Sequence, residues 1–175
     1  ITSEEKNLIE KVKNFNPDLI LFSTTTGVHK YHLNLCRVLK KELKFISIFG
    51  GPHPTFFPEM VEEDCVDFII RGEAEETISD LIKKIQKGEK DIKKIWLGDY
   101  PQNLDSLPFP DRTLLKDYEY LLPQGVRFFM TSRGCPYSCS FCGNSTRIPV
   151  TYRSPDSIER EVRELIKRGV SHYRF

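Results

Sequence analysis

Three predominantly apolar runs of strand length, the second interrupted by Ser47, punctuate the first half of the chain: Asp18-Leu19-Ile20-Leu21-Phe22-Ser23, Phe45-Ile46-Ser47-Ile48-Phe49 and Asp67-Phe68-Ile69-Ile70. A strand with apolar residues at consecutive positions presents apolar side chains on both faces, so both faces of its sheet must be covered. The segments between and around the runs have helical spacing. Leu8, Ile9 and Val12 follow Thr2 and Glu5, which stand at capping-box spacing. Tyr31, Leu35, Val38 and Leu39 form a second stripe, and Ile78, Leu81, Ile82 and Ile85 a third. Alternating strands and amphipathic helices predict an α/β domain over residues 1–98 with a parallel, Rossmann-like or flavodoxin-like sheet.

Sheets of this kind bind ligands beyond the C-terminal ends of their strands. Those ends are Ser23-Thr24-Thr25-Thr26-Gly27, Gly50-Gly51-Pro52-His53-Pro54 and Arg71-Gly72-Glu73-Ala74-Glu75. Paired glycines allow a backbone to approach a ligand closely, and hydroxyls offer donors. The same residues serve equally as turn chemistry, so both readings stay open at this point. His53, between two prolines, is expected to be an exposed turn residue, the alternative being a place in the ligand cleft. His29 and His32 are expected near a helix start. Glu73, Glu75 and Glu76 are explained by the favourable field at a helix N-terminus.

Residues 99–124 contain Pro101, Pro108, Pro110 and Pro123 and no sustained periodicity, which predicts a linker packing against both domains. Val126, Phe128, Phe129 and Met130 then form a short apolar run that ends at Thr131-Ser132-Arg133-Gly134. After it comes Cys135-Pro136-Tyr137-Ser138-Cys139-Ser140-Phe141-Cys142, three thiols at C-x3-C-x2-C spacing. Thiolates hold iron–sulfur clusters and zinc, and a 4Fe-4S cube ordinarily takes four cysteines. A loop supplying three leaves one iron open. Structural zinc ordinarily takes four protein ligands, and a fourth would have to come from Cys36, Cys65 or a histidine, none of them near in sequence. Ser154-Pro155 is a helix start, Ile158, Val162, Leu165 and Ile166 give its stripe, and Gly169 its stop. With a strand over 172–175, residues 125–175 make one β-loop-α-β unit.

Charge and cysteine usage narrow the class further. Of 175 residues, 26 are Lys or Arg and 25 are Asp or Glu, a formal charge of +1 that gives no case for nucleic-acid binding. Five cysteines, three of them clustered, oppose a disulfide scaffold and point to a reducing, cytoplasmic setting. No apolar run approaches membrane-spanning length. The chain starts at Ile1 and stops at Phe175 within an expected strand, so it is expected to be a fragment of a longer enzyme.

The cysteine loop resembles that of the radical S-adenosylmethionine (radical SAM) superfamily. The resemblance implies that Cys135, Cys139 and Cys142 hold a 4Fe-4S cluster, that S-adenosylmethionine fills the open iron site, and that Phe141 lies near the adenine. It also implies that residues 125–175 begin a partial (β/α)6 barrel. Gly50-Gly51-Pro52-His53, Gly72 to Glu75 and Pro108 to Arg112 resemble stretches of the subfamily with a cobalamin-binding domain ahead of that barrel, with Ser23, Gly50 and Gly51 at cofactor-binding positions. Thr25 departs from the leucine of that pattern, and the lower-ligand stretch Asp-x-His-x-x-Gly does not occur. The resemblance further implies cleavage of S-adenosylmethionine to a 5′-deoxyadenosyl radical, methyl transfer or related C–C and C–H chemistry on a small-molecule substrate, and an external electron donor of flavodoxin or ferredoxin type. The alternatives are a methylthiotransferase-like enzyme acting on RNA, a metal-stapled binding module without catalysis, and a corrinoid-binding module.

Overall fold

The three apolar runs become adjacent parallel strands. In the computed structural model, which describes residues 3–114, 126–143, 150–168, 170 and 172–174, β1 (Leu19–Ser23), β2 (Ile46–Gly50), β3 (Phe68–Arg71) and β4 (Ile95–Leu97) lie side by side in sequence order. All three pairings are parallel, with Leu21 opposite Ile48 and Phe49 opposite Ile69. Parallel neighbours need a crossover. These are α2 (His29–Glu42), then α3 (Pro52–Phe56) with a 3-10 turn over Pro58–Glu62, and finally α4 (Glu75–Gln86); α1 (Ser3–Phe15) precedes β1. The result is the expected Rossmann-like α/β architecture. The proposed cap at Thr2 lies outside the described residues.

Two apolar clusters cover the two faces of the sheet, except at the edge strand β1, where Leu21 is 54% exposed. On one, Phe22, Phe49 and Ile69 pack with Leu33 and Cys36 of α2, and with Met60, Cys65 and Val66; the Phe22 and Phe49 rings stack at 4.5 Å. On the other, Ile48 and Ile70 pack with Leu81 of α4, joined by Ile78, Ile85 and Trp96. Ser47 is fully buried within β2. Its hydroxyl donates to the Cys65 carbonyl (2.6 Å), and its backbone N–H donates to the Asp67 carboxylate (2.8 Å), which also takes Lys40 Nζ at 2.6 Å. A buried hydroxyl placed among partners in this way avoids the cost of an unmade hydrogen bond.

The buried face of α2 differs from the expected stripe. Leu33, Cys36 and Leu39 are buried, while Tyr31 is exposed and Leu35 and Val38 are half-buried. Those last three line a shallow groove with Ile9 of α1, so this helix divides its apolar residues between the sheet and a neighbouring helix.

The chain divides into two units, Ile1–Tyr100 and Pro101–Phe175. In the second, β5 (Val126–Phe128) pairs parallel with β8 (His172–Arg174), and α5 (Pro155–Lys167) connects them, giving the β-loop-α-β unit. Ser154 caps α5, its hydroxyl accepting from Ser157 N at 3.1 Å. Gly169 and Phe175 lie outside the described residues, as do 115–124 of the expected linker, residue 125 and 144–149. The linker's described part from Pro101 onward belongs to the second unit: Leu104 is buried, and the Asp105 carboxylate accepts from Ser154 N at 3.0 Å. The inner line of α5 is Ser157, Glu161 and Leu165, all buried, whereas Ile166 of the expected stripe is exposed. Among the described residues no helix is long and apolar enough to cross a membrane.

Candidate functional site

At the strand ends of the first unit the backbone of β1 turns directly against that of β2. Thr24 N donates to Gly50 O (2.9 Å), and Thr24 O accepts from His53 N (3.0 Å). Gly51 sits at φ +92°, and a Cβ there would fall 2.9 Å from Thr24 N and 3.0 Å from Thr24 O. Its glycine is therefore explained by the chain's own close approach. Gly50 is different, because a Cβ on it would meet only Ile70 O at 3.7 Å. Ser23 is exposed at the same edge, with its hydroxyl 3.2 Å from the place a Gly51 Cβ would take. Thr24 is buried, and its Oγ1 has no hydrogen-bond partner among the described residues. Ser23, Gly50 and Gly51 thus come together at one edge, beside a buried hydroxyl with bonding capacity to spare. That donor set fits a polar ligand seated at the strand ends.

His53 is not the exposed turn residue expected from its flanking prolines. It lies in α3, 8% exposed, its ring stacked on His29 at 3.8 Å and on Phe57 at 5.0 Å. Its Nδ1 is 3.0 Å from Thr26 Oγ1, while His29 Nδ1 accepts from Gly27 N at 3.1 Å. Burial lowers the His53 pKa, and the neighbouring His29 lowers it further, so the neutral ring is favoured. Proline at the first helical turn explains the difference: Pro52 starts a helix that carries His53 inward.

In the second unit β5 ends at Phe128, and the chain continues through buried Phe129 and exposed Met130 into the cysteine loop. The loop has a neck that periodicity could not reveal. The two-residue strands β6 (Ser132–Arg133) and β7 (Thr151–Tyr152) pair antiparallel, Ser132 opposite Tyr152 and Arg133 opposite Thr151. Gly134, at φ +86°, turns the chain out of the neck. Cys135 is half-buried, Cys139 and Cys142 are exposed, and none of the three is in a disulfide. Cys142 N donates to Cys139 O at 3.0 Å, a turn that keeps the last two cysteines close along the backbone. Phe141 is 91% exposed and Tyr137 72%. Among the described residues no three His, Cys, Asp or Glu side chains form a metal-ligating group, so the three thiols share one loop without converging. The chemistry of the set suits a soft metal: three thiols on one accessible loop, free of disulfides.

Behind the neck lies a cluster that sequence reasoning missed. Glu161, 3% exposed, takes Arg112 Nη2 on one oxygen at 2.7 Å and Arg153 Nη1 on the other at 2.5 Å. The only sequence signal was a negative one, a charged residue within the inner line of an amphipathic helix.

Comparison with known proteins agrees with this division. The B12 binding domain model matches residues 1–82, and the radical SAM superfamily model matches residues 129–175, which include the cysteine loop. An uncharacterized methyltransferase of Pyrococcus horikoshii is 32% identical, over 94% of this chain and 39% of its own length. The anaerobic magnesium-protoporphyrin IX monomethyl ester cyclase of Synechocystis is 30% identical, over 79% of this chain and 32% of its own. Hopanoid C-3 methylase of Methylococcus capsulatus is 26% identical, over 94% and 35%. The chain thus spans between about a third and two fifths of these relatives' lengths. With a B12-binding stretch followed by a radical SAM stretch bearing the three-cysteine loop, the chain belongs to the cobalamin-binding branch of the radical SAM superfamily.

Proposed function

We propose that this chain is the cofactor-loading part of a cytoplasmic radical SAM enzyme that transfers a methyl group, with the help of cobalamin, to a small-molecule substrate. The observation that carries the reading is the succession, on one chain, of a B12-binding stretch and a radical SAM stretch with three accessible thiols. Two relatives named methyltransferase and methylase support methyl transfer. The relative named as a cyclase supports the broader class of C–C and C–H chemistry.

Cys135, Cys139 and Cys142 would hold the 4Fe-4S cluster. When bound, that cluster and S-adenosylmethionine supply one-electron cleavage of the sulfonium to a 5′-deoxyadenosyl radical, the electron coming from a flavodoxin- or ferredoxin-type donor. Ligation requires each thiol to release its proton, and the exposure of Cys139 and Cys142 lets those protons leave to water. The uncovered Phe141 ring is available to stack on the adenine. In the first unit, Ser23, Gly50 and Gly51 form the edge at which cobalamin would lie, with Thr24 Oγ1 free to bond it.

The methylthiotransferase alternative would draw on Cys36 and Cys65 as thiolates. Both are buried core residues whose thiols donate to backbone carbonyls, Cys36 to Cys65 O at 3.2 Å and Cys65 to Leu33 O at 3.6 Å, an arrangement that opposes ligation.

Anaerobic incubation of the whole protein with cobalamin, a reductant, S-adenosylmethionine and candidate acceptors tests the reading. Methyl transfer predicts S-adenosylhomocysteine alongside 5′-deoxyadenosine. Deoxyadenosine alone, with no methyl leaving the cofactor, would favour cyclase-like chemistry.

A further inference from the structure

The cysteine loop has almost no packing of its own. From Gly134 to Gly143 every residue is exposed except the half-buried Cys135. Its position must therefore be set at the neck, and the contacts there converge on one buried carboxylate.

Arg153 follows β7 directly. Its N–H donates to Thr131 O at 2.8 Å, across the base of the loop. Its guanidinium donates to Glu161 Oε2 at 2.5 Å, to Ser157 O at 3.2 Å, to Ser157 Oγ at 3.1 Å and, more weakly, to Met130 O at 3.4 Å. One planar fork therefore joins the chain entering the loop, the chain leaving it and the helix behind. Glu161 fixes that fork, and with its second oxygen holds Arg112, which also donates to Phe128 O at 3.1 Å, at the end of β5. Aromatic faces complete the setting: Arg112 lies over Phe129 at 5.4 Å and Arg153 over Phe109 at 5.3 Å.

Two guanidiniums and one carboxylate, with side-chain exposures of 19%, 10% and 4%, are an unfavourable choice if burial were the only purpose. Apolar side chains of similar volume often stabilise as well or better. What they lack is direction. A guanidinium bonded at several fixed angles specifies where its partners lie.

We infer that Glu161 is a positioning residue for the cysteine loop, acting through Arg153 to hold the neck from which the three thiols project. The inference rests on the reading of that loop as the cluster site. It assigns Arg112 the role of tying the Pro108 to Arg112 segment and the end of β5 to the same carboxylate.

The test compares wild-type whole protein with Glu161→Gln, which keeps the shape and removes the charge. In the metal-free protein, amide exchange at Arg153 and Cys142 should quicken about tenfold or more, while Ile69 in the other unit is unchanged. After anaerobic reconstitution the variant should hold iron about ten- to a hundredfold less tightly, the usual cost of losing a group that orients metal ligands. Its reduced electron paramagnetic resonance signal should respond abnormally to S-adenosylmethionine. If Glu161→Gln does not fold, Arg153→Lys decides by the same readouts, because it keeps the charge and loses the fork. Wild-type exchange, iron affinity and resonance response in the variant would overturn the role of Glu161. A wild-type protein that forms no 4Fe-4S cluster would overturn the reading of the loop instead, and the exchange data would still report whether Glu161 holds the neck.

Discussion

Cysteine makes the sharpest contrast at the scale of single residues. Burial pushes the Cys36 thiol up to about 12, with the neighbouring Cys65 adding to the rise, and burial raises Cys65 as well. Since the thiolate is the reactive form, brief alkylation of the native, metal-free protein at mildly alkaline pH should label Cys139 and Cys142 and leave Cys36 and Cys65 intact until denaturant is added. Labelling of native Cys36 would contradict the core assignment. Acid sensitivity follows from two other residues in the first unit. Burial and His29 depress the His53 pKa below 6.5, so its contribution to stability is complete above that value and is lost as pH falls toward the folded-state pKa. Asp67 is also depressed. Burial acts to raise it, but Lys40 and the bonds from Ser47 outweigh that, so its contribution is lost as pH falls below 3.8. Denaturant titrations of the first unit's fluorescence across acid pH should show both losses, with His53→Gln reducing the upper one, to which His32, its pKa also lowered by burial, contributes. A profile identical in that variant would mean that His53 is not the titrating group.

At the scale of elements, the two glycines at the end of β2 differ in what a side chain would meet. Gly51→Ala forces a Cβ against the Thr24 backbone at positive φ and should cost about 1–3 kcal/mol. Gly50→Ala meets nothing closer than 3.7 Å and should change stability by less than about 1 kcal/mol. Thermal melts check the stabilities, and absorbance titration with cobalamin checks binding. Weaker cobalamin binding by the stable Gly50→Ala variant would mark that edge as ligand-facing. The strands themselves were legible because Leu19 to Phe22 and Phe68 to Ile70 are apolar at every position, a pattern that admits few other environments. Helix faces were less so. In α5 the apolar positions 158, 162 and 166 drew the stripe to one side, but the buried line runs through Ser157 and Glu161, whose burial depends on partners distant in sequence such as Arg112. The short strands β6 and β7 carry no period at all, since two residues cannot define one.

For the whole molecule, the cysteine spacing carried the candidate site, because three thiols within eight residues, with no fourth thiol or histidine near in sequence, point to a metal with one position left open. The strand ends of the first unit were harder to read, since turn chemistry explains Ser23 and the glycine pair equally well; the structure accounts for Gly51 by the close approach of the Thr24 backbone and leaves Thr24 Oγ1 buried with no partner among the described residues. His53 was misjudged because prolines signal exposure in a turn as readily as they start a helix. The central claim is that the loop bearing Cys135, Cys139 and Cys142 holds a cluster with one iron free for S-adenosylmethionine. Its most direct test is electron paramagnetic resonance of the whole protein, reconstituted without oxygen and reduced with dithionite, before and after adding that cofactor. A reduced 4Fe-4S signal whose shape shifts on addition, and is lost when any of the three cysteines becomes alanine, is the predicted result. Uptake of zinc with no such signal, or a cluster indifferent to S-adenosylmethionine, would contradict it.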